Sequence, residues 1–129
     1  MSQSVAVTRG IRVEVNAEYV AERSRPADSH WFFAYHIRIS NEGAEAVKLV
    51  SRHWIITDAH GEEEEVRGPG VVGAHPELEP GEQFEYTSFC PLETSFGSMR
   101  GTYQMVTRTG EPFDVEIAAF ALVEPYSVN

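Results

Sequence analysis

Residues Gly68-Pro69-Gly70-Val71-Val72-Gly73 spell G-x-G-x-x-G. That spacing lets backbone N–H groups approach a pyrophosphate closely, provided a strand precedes the motif and a helix follows it. Here the chain continues Ala74-His75-Pro76-Glu77-Leu78-Glu79-Pro80-Gly81. Prolines and glycine at that density speak against a helix, so the motif is expected in a loop. Two readings stay open. In one, the glycines serve positive φ or close backbone approach. In the other, Gly68, Gly70 and Gly73 contribute to a nest of N–H groups that holds a small pyrophosphate-like anion, with Arg67 as the nearest cation.

A second cluster is acidic. Asp58, His60, Glu62 and Glu64 are the candidate ligands for a divalent cation, magnesium or cobalt, because hard cations want several converging carboxylate oxygens. On a strand Glu62 and Glu64 would share one face and Glu63 and Glu65 the other. The competing reading is a solvated acidic hairpin. For nucleophilic catalysis the consecutive residues Ser51-Arg52-His53 and Ser29-His30 offer little. Strand neighbours point to opposite faces, so nucleophile and base do not meet. No enzyme is expected.

These residues must be positioned by strands. Ile11, Val13, Val15, Ala17 and Tyr19 alternate with polar residues, as in a half-buried strand. Trp31, Phe33, Tyr35, Ile37 and Ile39 form one face of the next. Val47 to Thr57 is a third, with Trp54 and Ile56 sharing a face. It turns at Asp58-Ala59-His60-Gly61 into a short charged strand, Glu62 to Val66, of the kind that suits an edge. Glu82 to Pro91 and Tyr103 to Thr107 alternate likewise. Phe113 to Val123 is apolar enough near its end to suggest cover on both faces. Repeated strands and turns predict an all-β, immunoglobulin/fibronectin-III-like sandwich of about seven or eight antiparallel strands. One domain over residues 1–129 is expected, with residues 1–9 a flexible lead-in. Leu78-x-Pro80-Gly81-x-x-Phe84-x-Tyr86 suggests a tyrosine corner, whose phenol bonds back to the backbone of the corner.

Composition narrows the partners. The chain of 129 residues carries a net charge of −10. Between Glu62 and Glu93 nine carboxylates face one base, Arg67. Such a field disfavours nucleic acid and would repel a pyrophosphate. The longest apolar run, Ile117 to Val123, is seven residues, too short to span a bilayer. No secretory signal is visible at the start, so a cytoplasmic location is expected. The single cysteine, Cys90, shares a strand face with Phe84 and Tyr86 and reads as a buried, inert thiol. Trp31-Phe32-Phe33 and the Phe113–Val123 strand offer more apolar surface than one sandwich face needs, which suggests a homodimer or another protein partner.

Five blocks carry a family resemblance. They are Phe33-x-Tyr35-x-Ile37-x-Ile39-x-Asn41, Arg52-His53-Trp54-x-Ile56-x-Asp58, Arg67 to Gly73, the Leu78–Tyr86 segment and Gly97-Ser98-Met99-Arg100-Gly101-Thr102-Tyr103-Gln104-Met105. Together they resemble the ApaG family over nearly the whole chain. The resemblance implies a fibronectin-III-like fold, usually as a homodimer, in a bacterial protein linked to cobalt resistance and magnesium efflux. It implies a binding module, since similar domains are attached to eukaryotic F-box and DNA-polymerase-interacting proteins. It also implies pyrophosphate as a proposed ligand of the glycine motif, and it assigns no catalytic residue.

Overall fold

The computed structural model describes residues 2–125. Nine strands follow in chain order: β1 Ser2–Thr8, β2 Ile11–Tyr19, β3 Trp31–Asn41, β4 Val47–Asp58, β5 Glu63–Pro69, β6 Glu77–Leu78, β7 Gln83–Leu92, β8 Phe96–Thr107 and β9 Pro112–Val123. All pairings are antiparallel. One sheet runs β1-β2-β3-β7. The other runs β5-β4-β8-β9, with the short β6 added to β4. The two sheets form the expected sandwich. No helix among the described residues is long and apolar enough to cross a membrane.

The core lies between the two inner faces, filled by alternate residues of each strand. From the first sheet come Ile11, Val13, Val15, Phe33, Tyr35, Ile37 and Ile39. From the second come Leu49, Trp54, Met99, Tyr103, Met105, Val115, Ile117, Phe120 and Leu122. Two bulges change the phase of this alternation. On β4 the register shifts between Leu49 and Ser51, so odd residues point inward before it and Trp54 points inward after it. Across β8 and β9 the pairing steps from Gly101↔Ile117 to Met99↔Phe120. The extra residue in β9 moves the buried set from Val115 and Ile117 to Phe120 and Leu122.

That second bulge corrects one expectation. Phe113 to Val123 is not covered on both faces near its end: Ala119, Ala121 and Val123 are exposed. An apolar run spanning a phase change reads as two-sided although only one side is buried.

Residues 1–9 also need correction. Met1 lies outside the described residues, but Ser2–Thr8 is a strand, not a flexible lead-in. It pairs with β2 over its whole length. It also reaches the other sheet. The Ser4 hydroxyl donates to the Ala118 carbonyl at 2.9 Å, and the Glu116 amide donates to Thr8 Oγ1 at 3.1 Å. One side of the sandwich is thereby closed.

The tyrosine corner is likewise replaced. The Tyr86 phenol bonds to the Tyr103 phenol of the opposite sheet, not to backbone. The corner is tied instead by Asn41, a buried side chain at 1% exposure. Its Nδ2 donates to the carbonyls of Glu45 and Leu78, both at 2.9 Å. Backbone bonds from Asn41 to Glu82 and from Gly81 to Asn41 complete the tie.

Candidate functional site

The glycine segment starts in β5 and turns back on itself. Gly68 pairs with Arg52. Gly70 donates its N–H to the Val50 carbonyl at 2.9 Å, and Val71 and Ala74 exchange backbone hydrogen bonds. Val71 is fully buried and plugs the core. Both N–H groups at the centre of the motif are therefore spent within the protein.

Its carbonyls have a partner too. Arg52 Nη1 donates to the carbonyls of Pro69 and Gly70, each at 2.9 Å. The guanidinium lies flat on Gly68. A Cβ there would come within 2.9 Å of Cζ, Nη1 and Nη2 alike, so any other residue would displace the guanidinium. Gly70 has φ +57, and a Cβ on it would stand 2.3 Å from the Ala74 carbonyl oxygen. The loop thus presents oxygen atoms to a cation at its centre. That is the reverse polarity of a phosphate cradle.

The four residues named for anion binding do not converge. Arg67 stands opposite His53 in the β4–β5 register, whereas Gly68 stands opposite Arg52. Alternation puts them on opposite faces of the sheet. The Arg67 side chain is 72% exposed and lies 3.6 Å from Glu65. Gly73, with φ +81, has open space where a Cβ would go.

The residues named for a metal are not brought together either. Among the described residues no group of three or more His, Cys, Asp or Glu side chains is placed to hold a metal ion. Asp58 Oδ1 accepts the backbone N–H groups of His60 (2.8 Å) and Glu62 (3.0 Å), so it shapes the turn. Glu64, opposite Ile56, lies on the cleft side of β5 and stays exposed. The outward acids pair with bases: Glu65 with His53 Nε2 at 2.7 Å, and Glu63 with Arg100 at 3.5 Å.

The Ser51 hydroxyl donates to Gln104 Oε1 at 2.8 Å and not to a base. Burial holds the Cys90 thiol up to about 12, with the Glu64 charge adding to the effect. The thiol therefore stays protonated and unreactive at neutral pH.

Two features were missed by sequence reasoning. The first is a cleft of about 300 Å³ on the side of the sandwich away from β1 and β9. It is lined from β4 and β5 by Arg52, Trp54, Ile56, Glu64 and Val66, and from β3, β7 and β8 by Tyr35, Ser88, Phe89, Cys90, Pro91 and Met99. The signal was present in the strand phase, since Arg52 alternates with Trp54 and Ile56 and must point the same way. The second is Phe89, the exposed stacking partner of Phe32. Phe32 and Phe89 stack with ring centroids 5.4 Å apart, and the Arg23 guanidinium lies 4.2 Å and 5.4 Å from the two centroids. Phe89 remains 48% exposed. It sits on β7, the last strand of its sheet.

Comparisons with known proteins agree with this fold. The family model described as the ApaG domain matches residues 21–107. The chain is 57% identical over 126 residues to Protein ApaG of Anaeromyxobacter dehalogenans strain 2CP-C, covering 98% of this chain and 99% of that protein. It is 57% identical over 120 residues to Protein ApaG of Rhodospirillum centenum, covering 93% and 92%. A crystal structure from Bordetella pertussis, of a protein described as ApaA, superposes with a TM-score of 0.88. It has 51% identity and covers 91% of this chain and 95% of that one. The C-terminal domain of wzt shares the fold alone, with a TM-score of 0.55 at 10% identity over 98% of this chain and 80% of that one.

Proposed function

Since the chain belongs to the ApaG domain family, we propose that it works as a non-enzymatic binding module acting through protein contacts. The exposed Phe32–Phe89 pair under Arg23 carries this reading. A half-exposed phenylalanine is costly to leave in water, and here it is held rigid by stacking and by a cation above the ring. Large aromatics with a nearby arginine are the residues that dominate protein interfaces. Phe89 lies on β7, which places the pair beside a strand edge that is free of backbone partners among the described residues.

The first partner in this reading is a second copy of the chain, in the cytoplasm. Light scattering at tens of micromolar tests it. The expected result is a dimer for the native protein and a monomer for Phe89→Asp, with unchanged circular dichroism. A native monomer at that concentration overturns the homodimer. The tie to cobalt resistance and magnesium efflux belongs to the same proposal through the family resemblance. Cobalt tolerance of a deletion strain should be restored by the native chain and not by Phe89→Asp.

A further inference from the structure

We propose that the cleft between β5 and β7 is a binding site for a small organic carboxylate with an apolar body, and that Arg52 receives the carboxylate. Phe89 borders both this cleft and the Phe32 stacking contact, whereas Arg52, Trp54 and Val66 belong to the cleft.

The cation is the first argument. Six arginines, Arg9, Arg12, Arg38, Arg67, Arg100 and Arg108, each have a carboxylate oxygen within 4.0 Å. Arg52 has none among the described residues, and unlike Arg23, Arg25 and Lys48, which also have none, it is not fully exposed. It is half-buried, and only its Nη1 is engaged, by two neutral carbonyls. Its formal charge is therefore left without a counter-ion in a chain of net charge −10. The glycine loop holds the guanidinium plane in place before any ligand arrives. That immobility is what a bidentate arginine–carboxylate contact otherwise has to create.

The walls are the second argument. Trp54, Tyr35, Cys90 and Met99 are buried in the core yet form the floor of the cleft, and Val66, Ile56 and Pro91 flank it. Ser88 adds a hydroxyl. An apolar floor with a few convergent polar groups, at about 300 Å³, falls at the lower end of small-molecule sites.

Charge then selects among anions. Glu64 closes the end of the cleft away from Arg52. Beyond it lies a hollow lined by Asp58, Glu62, Glu63 and Glu93 together with His30. Arg52 and the Glu64 partner Ile56 are four residues apart on β4, about 13 Å in an extended strand. A polyanion spanning that distance meets carboxylates. A single carboxylate at the Arg52 end does not, and its apolar body covers Trp54 and Val66.

The experiment is a titration of the full chain, followed by amide and side-chain N–H signals in nuclear magnetic resonance spectra, with phenylbutyrate, phenylbutyramide and pyrophosphate as probes. Phenylbutyrate is expected to shift the Trp54 indole and Arg52 Nε–H signals saturably, and about ten-fold more tightly than the neutral amide, as a charge-assisted pair requires. Val66→Phe, which fills the cleft and keeps the Arg52 charge, is expected to abolish the shifts. Equal binding of acid and amide, stronger binding of pyrophosphate at the same residues, binding that survives Val66→Phe, or no saturable shift at all would each overturn the assignment.

Discussion

The phenolic oxygens of Tyr86 and Tyr103 meet 2.5 Å apart across the sandwich, one from β7 and one from β8. Tyr103 is fully buried and Tyr86 nearly so. Each hydroxyl is the other's partner, so removing one strands the other in an apolar core. Tyr86→Phe and Tyr103→Phe are each expected to lower stability by about 1–3 kcal/mol, because an unsatisfied buried hydroxyl retains its desolvation cost. The double variant should cost clearly less than the sum of the two. Urea denaturation of all four proteins measures this; simple additivity would show that the two hydroxyls do not depend on each other.

The same burial gives the fold an alkaline limit. Desolvation raises the Cys90 thiol to about 12 from an ordinary 9.0, and it raises the Tyr86 and Tyr103 phenols above their ordinary range as well. Groups whose folded-state values are raised bind protons that the unfolded chain has already lost. Stability is therefore fully present below about pH 9 and declines as pH climbs toward the folded values. The urea midpoint should be level near neutrality and fall continuously above pH 9. A thiol reagent at neutral pH should label Cys90 only after denaturant is added. Prompt labelling of the folded chain would contradict the burial described for this thiol.

Glycines of the motif should separate by position. Gly70→Ala meets both a positive φ and the Ala74 carbonyl at 2.3 Å, whereas Gly73→Ala meets a positive φ in open space. The second is expected to cost about 1 kcal/mol from backbone strain alone. The first should cost more, about 3 kcal/mol, because the loop must also move. Thermal melts rank them, and an equal loss for both would mean that the close approach at Gly70 is unimportant.

Most of the sandwich was legible in the residue alternation, because inward apolar and outward polar positions repeat every second residue through β2, β3 and β7. What was not legible has specific causes. In β1 the pattern is inverted: Val5 and Val7 are about half exposed, while Ser4 and Thr8 turn toward β9 and hydrogen-bond to it. A strand that buries small hydroxyls and exposes valines looks like a polar tail. The bulges of β4 and β9 were hidden because one additional residue leaves no mark in composition.

The glycine pattern was read correctly as loop-forming from Gly70 on, but Gly68 and Pro69 still belong to β5, and the partner of the motif was not visible. Arg52 lies sixteen positions upstream of Gly68, and only the β4–β5 pairing brings them together. Asp58 and His60 share a turn as expected, but the Asp58 carboxylate is consumed by backbone N–H groups, a use that leaves no trace in spacing.

The seam between β1 and β9 also bears on time. Ser4 and Ala118 are separated by 114 positions, and Thr8 and Glu116 by 108. Bringing such distant segments together carries a loop-closure entropy that local contacts cannot offset early in folding. Strand order β1-β2-β3-β7 adds a second long excursion, with β4 to β6 placed in the opposite sheet. Refolding of this domain therefore belongs to the slow class of non-local β topologies, on the order of milliseconds to seconds. Until β9 docks, the edge of β1 stays open to pairing with another chain.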